Sequence, residues 1–367
     1  MSVKQIVKIS AHAKQACADI KEGFTIVANK KEKKNNKTLN LLLMAAILLV
    51  IVCFAGMAVF LRSQINGERV ADAGTAPHAD LSNRFIDYKG ERYPIKRNLS
   101  TILLIGFDSF NDDMNRHVEG ANRNRDLSDF LVVLLVDHDE KTLTPLQLNR
   151  DTICEIPWLD ERGEIGGYHT EQLSFSHTYG SGGEDSAINT VRTVRKLLFN
   201  APINEYVAFT MDVVPLINDL VGGVTLTLTE DLTALDESYA EGAQITLLGE
   251  ASLRYVRYRE MSGGSNWYRM KRHQQYLHAF IEATKTAAQS NPNLAMDAFK
   301  LISPYLVTNM SVNNLSALVE QLCKYTVCET LTPGGRAVPG EDFYEFHVDE
   351  DSLWDCVYQA YCKKSNP

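Results

Sequence analysis

The sequence has no CxxC or HExxH spacing, no internal repeat and no low-complexity tract. The first absence removes zinc sites of recognisable ligand spacing, and the others leave the composition of an ordinary globular chain. Cysteine is scarce, with seven in 367 residues, and four of these (Cys323, Cys328, Cys356 and Cys362) fall near the C-terminus. They read as one or two disulfides stapling a C-terminal subdomain, with the pairing open. Positive charge is scarce where most of the chain lies. Residues 1–38 hold nine lysines against three acidic residues, so a net charge of -9 leaves -15 for the remainder. That balance speaks against nucleic acid as the main partner.

What is present begins with a 45% apolar composition, enough for a sizeable core. Leu41 to Leu61 carries no charge, and as a helix it would be about 31 Å long, enough to cross a hydrocarbon layer. Lys30, Lys31, Lys33, Lys34 and Lys37 crowd its N-terminal side, with only Arg62 directly behind it. The positive-inside rule predicts a single-pass cell-membrane protein with 1–40 as a cytoplasmic basic segment, 41–61 as the transmembrane helix and the rest extracytoplasmic. Ala71-Asp72-Ala73 has the small-x-small form of a cleavage site, but so long an apolar run favours an uncleaved anchor.

Residues 62–98 are polar and read as an extracytoplasmic linker. Thr101–Phe107, Phe130–Val136 and Leu143–Leu148 are short apolar runs expected to form buried strands. Asp185–Leu198 has helical spacing, Tyr206–Met211 reads as a strand, and Asp212 precedes a short helix broken at Gly222-Gly223. Val224–Thr229 alternates like a strand, and Leu247–Tyr258 and Trp267–Ser290 read as helices. The expectation is an α/β fold with a central mixed β-sheet flanked by helices over 99–290. A small, mainly helical, cysteine-containing appendage follows over 291–367.

Chemistry-bearing residues stand where apolar strands end. Asp108 and Asp129 flank two strands and Arg150-Asp151 ends the third, so neighbouring strands would bring carboxylates and an arginine to one cleft, suited to a hard divalent cation. Taken singly, such aspartates also serve as turn and cap formers. Arg254, Arg257, Arg259, Arg269 and Arg272 cluster in an otherwise acidic region. Arginine offers a planar fork matched to phosphate oxygens, although salt bridges to Glu250 and Glu260 would also explain the cluster.

The ordered motifs Ile102-Leu-Leu-Ile-Gly-Phe-Asp108, Asp129 at the head of a strand, Asn149-Arg150-Asp151-Thr152, Leu220-Val-Gly-Gly-Val224, Arg257-Tyr-Arg259 and Arg269-Met-Lys-Arg272-His-Gln274 resemble the LytR-CpsA-Psr family of cell-envelope phosphotransferases. The resemblance covers roughly residues 99 to 285. It implies transfer of a glycopolymer, such as teichoic acid or capsule, from a polyprenyl pyrophosphate carrier onto peptidoglycan through a phosphodiester, in a Gram-positive bacterium. It further implies Asp108 and Asp129 as ligands of Mg²⁺ (or Mn²⁺), with Arg150, Arg257, Arg259, Arg269 and Arg272 around the pyrophosphate. Asp108, Asp129, Arg150 and Arg269 are the catalytic candidates. The sequence departs from the family pattern at Leu127, where arginine is common, at Asn149, where proline is usual, and at His273, where glutamine is common. A polyprenyl-pyrophosphate hydrolase and a non-catalytic envelope-binding or regulatory protein are the alternatives.

Overall fold

The structure is a computed structural model that describes residues 84–109, 120–259, 265–291, 294–310, 325–340 and 343–362. The basic segment, the expected membrane span and most of the expected linker lie outside these residues. No described helix is long and apolar enough to cross a membrane.

The strands, in chain order, are β1 (Phe85–Tyr88), β2 (Glu91–Pro94), β3 (Leu99–Ser109), β4 (Asp126–Asp137), β5 (Thr142–Gln147), β6 (Ile153–Leu159), β7 (Ile165–Gln172), β8 (Glu205–Thr210), β9 (Val224–Thr227), β10 (Gln244–Leu247), β11 (Leu306–Thr308), β12 (Thr326–Val327), β13 (Gly335–Pro339) and β14 (Tyr344–Val348). The described helices are α1 (Glu184–Leu197), α2 (Val213–Leu220), α3 (Glu250–Arg257), α4 (Ser265–Ser290), α5 (Leu294–Ile302) and α6 (Glu350–Tyr361).

The expected mixed sheet has six strands in the order β11-β8-β3-β4-β5-β12. β3 pairs antiparallel with β4 and parallel with β8. The two central strands are apolar without interruption because both faces are covered. Leu103, Ile105, Leu131 and Val133 point into one cluster with α1 and α6, while Ile102, Leu104, Val132 and Leu134 join Val207 and Met310 on the other face. A separate cluster joins α2, β9, β10, α3 and α4.

Three segments differ from the sequence reading. Part of the polar linker forms the β1–β2 hairpin: Ile86 is buried, and Tyr88 stacks on Trp354 with ring centroids 4.2 Å apart. Leu247 ends a strand instead of starting a helix, because Gly249, with φ 48°, separates β10 from α3. The C-terminal residues are no appendage. Leu353, Trp354, Val357 and Tyr361 of α6 lie in the main core, β11 and β12 edge the main sheet, and the described part of the region adds four short strands to its helices.

The expected disulfides are also absent among the described cysteines: Cys154, Cys328, Cys356 and Cys362 are free thiols. Cys356 and Cys362 are six residues apart on one helix and its cap, a spacing that puts their side chains on different faces. Burial raises the Cys154 thiol to about 12 and the Cys362 thiol to about 11, so both stay protonated and inert.

Candidate functional site

A bulge creates the centre of the site. Gly106 pairs with Phe130 but Phe107 pairs with Ser128, so Asp129 has no partner on β3. The extra residue bends β4 and re-aims the Asp129 carboxylate out of the regular alternation. Glycine is needed at 106, since a Cβ there would lie 2.9 Å from the Phe130 Cβ and 3.2 Å from the Met211 sulfur.

Three guanidinium groups converge on Asp129 Oδ1. Arg150, in the turn after β5, touches it directly through Nη1; Arg259, two residues beyond α3, lies at 3.3 Å; and Arg269, on the first turns of α4, lies at 3.6 Å. Alongside, Arg257 at the end of α3 holds Asp108 Oδ2 at 2.5 Å. β3, the bulged β4, the β5 turn, α3 with the residues just after it, and α4 thus carry six of the predicted residues into these ion pairs.

Arg272 is placed differently. It is fully buried, donating from Nη1 to Glu230 at 2.8 Å and from Nη2 to the Tyr258 carbonyl at 2.6 Å. One helical turn from Arg269, it ties α4 to the segment carrying Arg257 and Arg259.

The arginines exceed the charge that their carboxylates neutralise. Arg269 is only 3% exposed, and burial, followed by repulsion from Arg150 and Arg259, holds its pKa well below the ordinary arginine value. Burial and the neighbouring Arg259 bring Arg150 down to about 10, and burial lowers Arg259 as well. Among the described residues, the Nε atoms of Arg257 and Arg269 are buried without a hydrogen-bond partner. A cluster of partly desolvated, mutually repelling cations is stabilised by an anion with several oxygens.

Two further residues shape the site. Asp151 Oδ1 accepts from Arg150 Nε at 3.1 Å, and Asn266 Oδ1 accepts from Arg269 Nη2 at 2.6 Å while its amide donates to Asn149 Oδ1. Asp151 was visible as the neighbour of Arg150; for Asn266 the signal was its place three residues before Arg269 on one helix face.

The departures have structural accounts. Leu127 is buried against Ile156, Phe175 and Tyr179, and Arg123 lies over the Tyr179 ring, 4.6 Å from its centroid, with a hydrogen bond to Thr178 Oγ1 at 3.0 Å. Asn149 serves as the acceptor that joins α4 to the β5 turn, receiving also the Asp151 amide at 3.0 Å. His273 is buried, and its Nε2–H donates to the Val256 carbonyl at 2.9 Å. Burial, with Arg269 beside it, drives the imidazole down to about 3, so it is neutral at physiological pH.

Among the described residues no group of three or more His, Cys, Asp or Glu forms a metal cluster. Asp108 and Asp129 are carboxylates at the arginine cluster, the donor type of Mg²⁺, a hard cation often held by one or two carboxylates together with substrate phosphate oxygens.

Comparison with known proteins identifies the family and the fold. The sequence profile of the LytR_cpsA_psr family matches residues 70–356, extending to the C-terminal helix that packs in the core. A Bacillus licheniformis protein named polyisoprenyl-teichoic acid–peptidoglycan teichoic acid transferase TagU is 26% identical over 259 residues, covering 70% of this chain and 74% of that protein. The structure titled "TagT bound to LI-WTA" superposes with a TM-score of 0.55 at 21% identity, over 72% of this chain and 90% of that one. Bacillus subtilis TagV superposes with a TM-score of 0.53 at 24% identity, over 72% and 96%. With the profile spanning most of the sequence and the same fold in both structures, the chain belongs to the LytR-CpsA-Psr family.

Proposed function

We propose that this LytR-CpsA-Psr enzyme is a membrane-anchored, extracytoplasmic phosphotransferase of the Gram-positive envelope. It moves a glycopolymer from a polyprenyl pyrophosphate carrier onto peptidoglycan through a phosphodiester. The observation that carries this reading is the convergence of Arg150, Arg259 and Arg269 on the single carboxylate of Asp129, with Arg257 beside them. A diphosphate diester bears about two negative charges spread over several oxygens, the complement of this excess of guanidinium groups.

The chemistry follows from the residues. Arg150, Arg257, Arg259 and Arg269 bind the diphosphate and neutralise charge that grows on the departing prenyl phosphate. A sugar hydroxyl of the acceptor attacks the glycan-side phosphorus in line; the new P–O bond forms as the bridging P–O bond to the prenyl phosphate breaks. Asp129, pointed into the site by the bulge, accepts the hydroxyl proton. Mg²⁺ or Mn²⁺, when bound, supplies further charge neutralisation at the diphosphate oxygens, and Asp108 and Asp129 are the residues that would hold it.

Product analysis tests the proposal. Purified protein given lipid-linked glycan, Mg²⁺ and peptidoglycan should yield a phosphate-bridged glycan–peptidoglycan adduct and prenyl monophosphate. Free glycan phosphate without an adduct would instead identify a hydrolase, and no turnover would identify a binding protein.

A further inference from the structure

Beside the arginine cluster lies a cavity of about 390 Å³, within the size range of small-molecule sites. Its lining connects it to the cluster. Asn149, Asp151 and Asn266 face it, and the same residues contact Asp151 N, Arg150 and Arg269 respectively. The opposite wall comes from the β13–β14 ribbon, whose role the sequence leaves unassigned. That wall is fixed to the site: Phe346 N donates to the Asp151 carbonyl at 2.8 Å, and Gln172 Nε2 donates to the Tyr344 carbonyl at 2.7 Å.

The lining alternates aromatic rings with carboxylates and amides. Trp267 and Tyr344 are 38% and 47% exposed, while Asp151, Asn149, Asn266 and Glu345 supply polar groups. Each candidate occupant makes a different demand. Asp151 and Glu345 each have one partner already, Arg150 and His347; a prenyl chain would cover both carboxylates with surface that offers no further donor, and a phosphate would meet them with like charge. A pyranose ring matches both features, because its C–H face covers an aromatic ring and its hydroxyls donate at the rim to carboxylates and amides.

We infer that this cavity is a saccharide subsite, in which Trp267 and Tyr344 stack a sugar ring and Asp151 receives one of its hydroxyls next to the diphosphate. The inference deepens the transfer reading and rests on it for the neighbouring diphosphate. The sugar comes from the acceptor glycan strand or from the first residues of the donor polymer, and the two sources share this chemistry.

The test uses the full chain in detergent and two probes, chitotetraose and a soluble peptidoglycan tetrasaccharide, with binding measured by calorimetry. The subsite requires that at least one probe binds and that Trp267→Ala and Tyr344→Ala each weaken it about tenfold or more. Ala337→Trp, which places bulk in the cavity from an exposed strand position, should do the same. Steady-state transfer then separates the sources: a raised acceptor KM alone identifies the acceptor strand, and a raised donor KM alone identifies the donor glycan. Absence of saccharide binding to the wild type, or binding indifferent to all three substitutions, overturns the inference. Saccharide binding that depends on Trp267 in a protein without transferase activity would remove the transfer reading and leave the subsite standing.

Discussion

Replacing Arg269 by methionine separates a site built for a ligand from one built for stability. Arg269 is almost fully buried, repelled by Arg150 and Arg259, and 3.6 Å from a carboxylate that has two other cationic partners. Asp129 keeps Arg150 and Arg259 after the replacement, so the cost of about 3–5 kcal/mol for stranding a buried charge does not arise, and the mutual repulsion of the three guanidinium groups is relieved. Loss of the charge-assisted bond to Asn266 at 2.6 Å costs about 1.5–3 kcal/mol. The relief and the loss oppose each other, so Arg269→Met should melt within about 4 °C of the wild type. Transfer should behave differently, because loss of one donor to developing charge costs about 2.7–4 kcal/mol, a fall of about 10²–10³ in turnover. Calorimetry adds a third readout. A short prenyl diphosphate at one hundred times its Kd should stabilise the wild type by about 2.7 kcal/mol, and most of that gain should vanish in the variant. Unchanged turnover, or a large loss of Tm that accounts for the lost activity, would refute the reasoning.

Other perturbations have equally definite outcomes. Asp129→Asn should lower turnover by about 10²–10⁴ through loss of the proton acceptor, yet tighten metal-free binding of a prenyl diphosphate, because three arginines lose their internal counter-ion; weakened binding in calorimetry would contradict this. His273 and His177 are held neutral by burial, at about 3 and about 4, so the unfolded chain takes up protons below about pH 6.5 that the native state refuses. Stability should therefore fall as pH drops from about 6.5 toward those values, and His273→Gln should shrink the loss of urea midpoint between pH 7 and pH 5; an identical loss in both proteins would argue against a buried neutral imidazole. Trp354→Ala should cost about 3–5 kcal/mol, since Trp354 packs in the main core and stacks on Tyr88; a melting temperature close to wild type would restore the C-terminal helix to the status of an appendage.

The central strands were legible because β3 and β4 are buried on both faces and so read as uninterrupted apolar runs. The arginine and aspartate positions were legible because they end strands or recur at helical spacing. The bulge at Asp129 left no mark in the sequence: it is a difference in pairing between two strands, and neither strand alone encodes it. The β1–β2 hairpin escaped notice because Phe85–Tyr88 is four residues long, too short for its alternation to stand out from a polar stretch, and its partner Trp354 lies 266 residues beyond Tyr88. The position of the β13–β14 wall beside the site was hidden by the same distance in sequence, being brought to Asp151 only by long-range pairing of Thr152 with Phe346.

The most direct measurement of the central claim is a crystal structure of the protein with a short-chain prenyl diphosphate and Mg²⁺. The account predicts both phosphorus atoms enclosed by Arg150, Arg257, Arg259 and Arg269, with the bulged Asp129 at the glycan-side phosphate. A diphosphate bound away from these four arginines would contradict it.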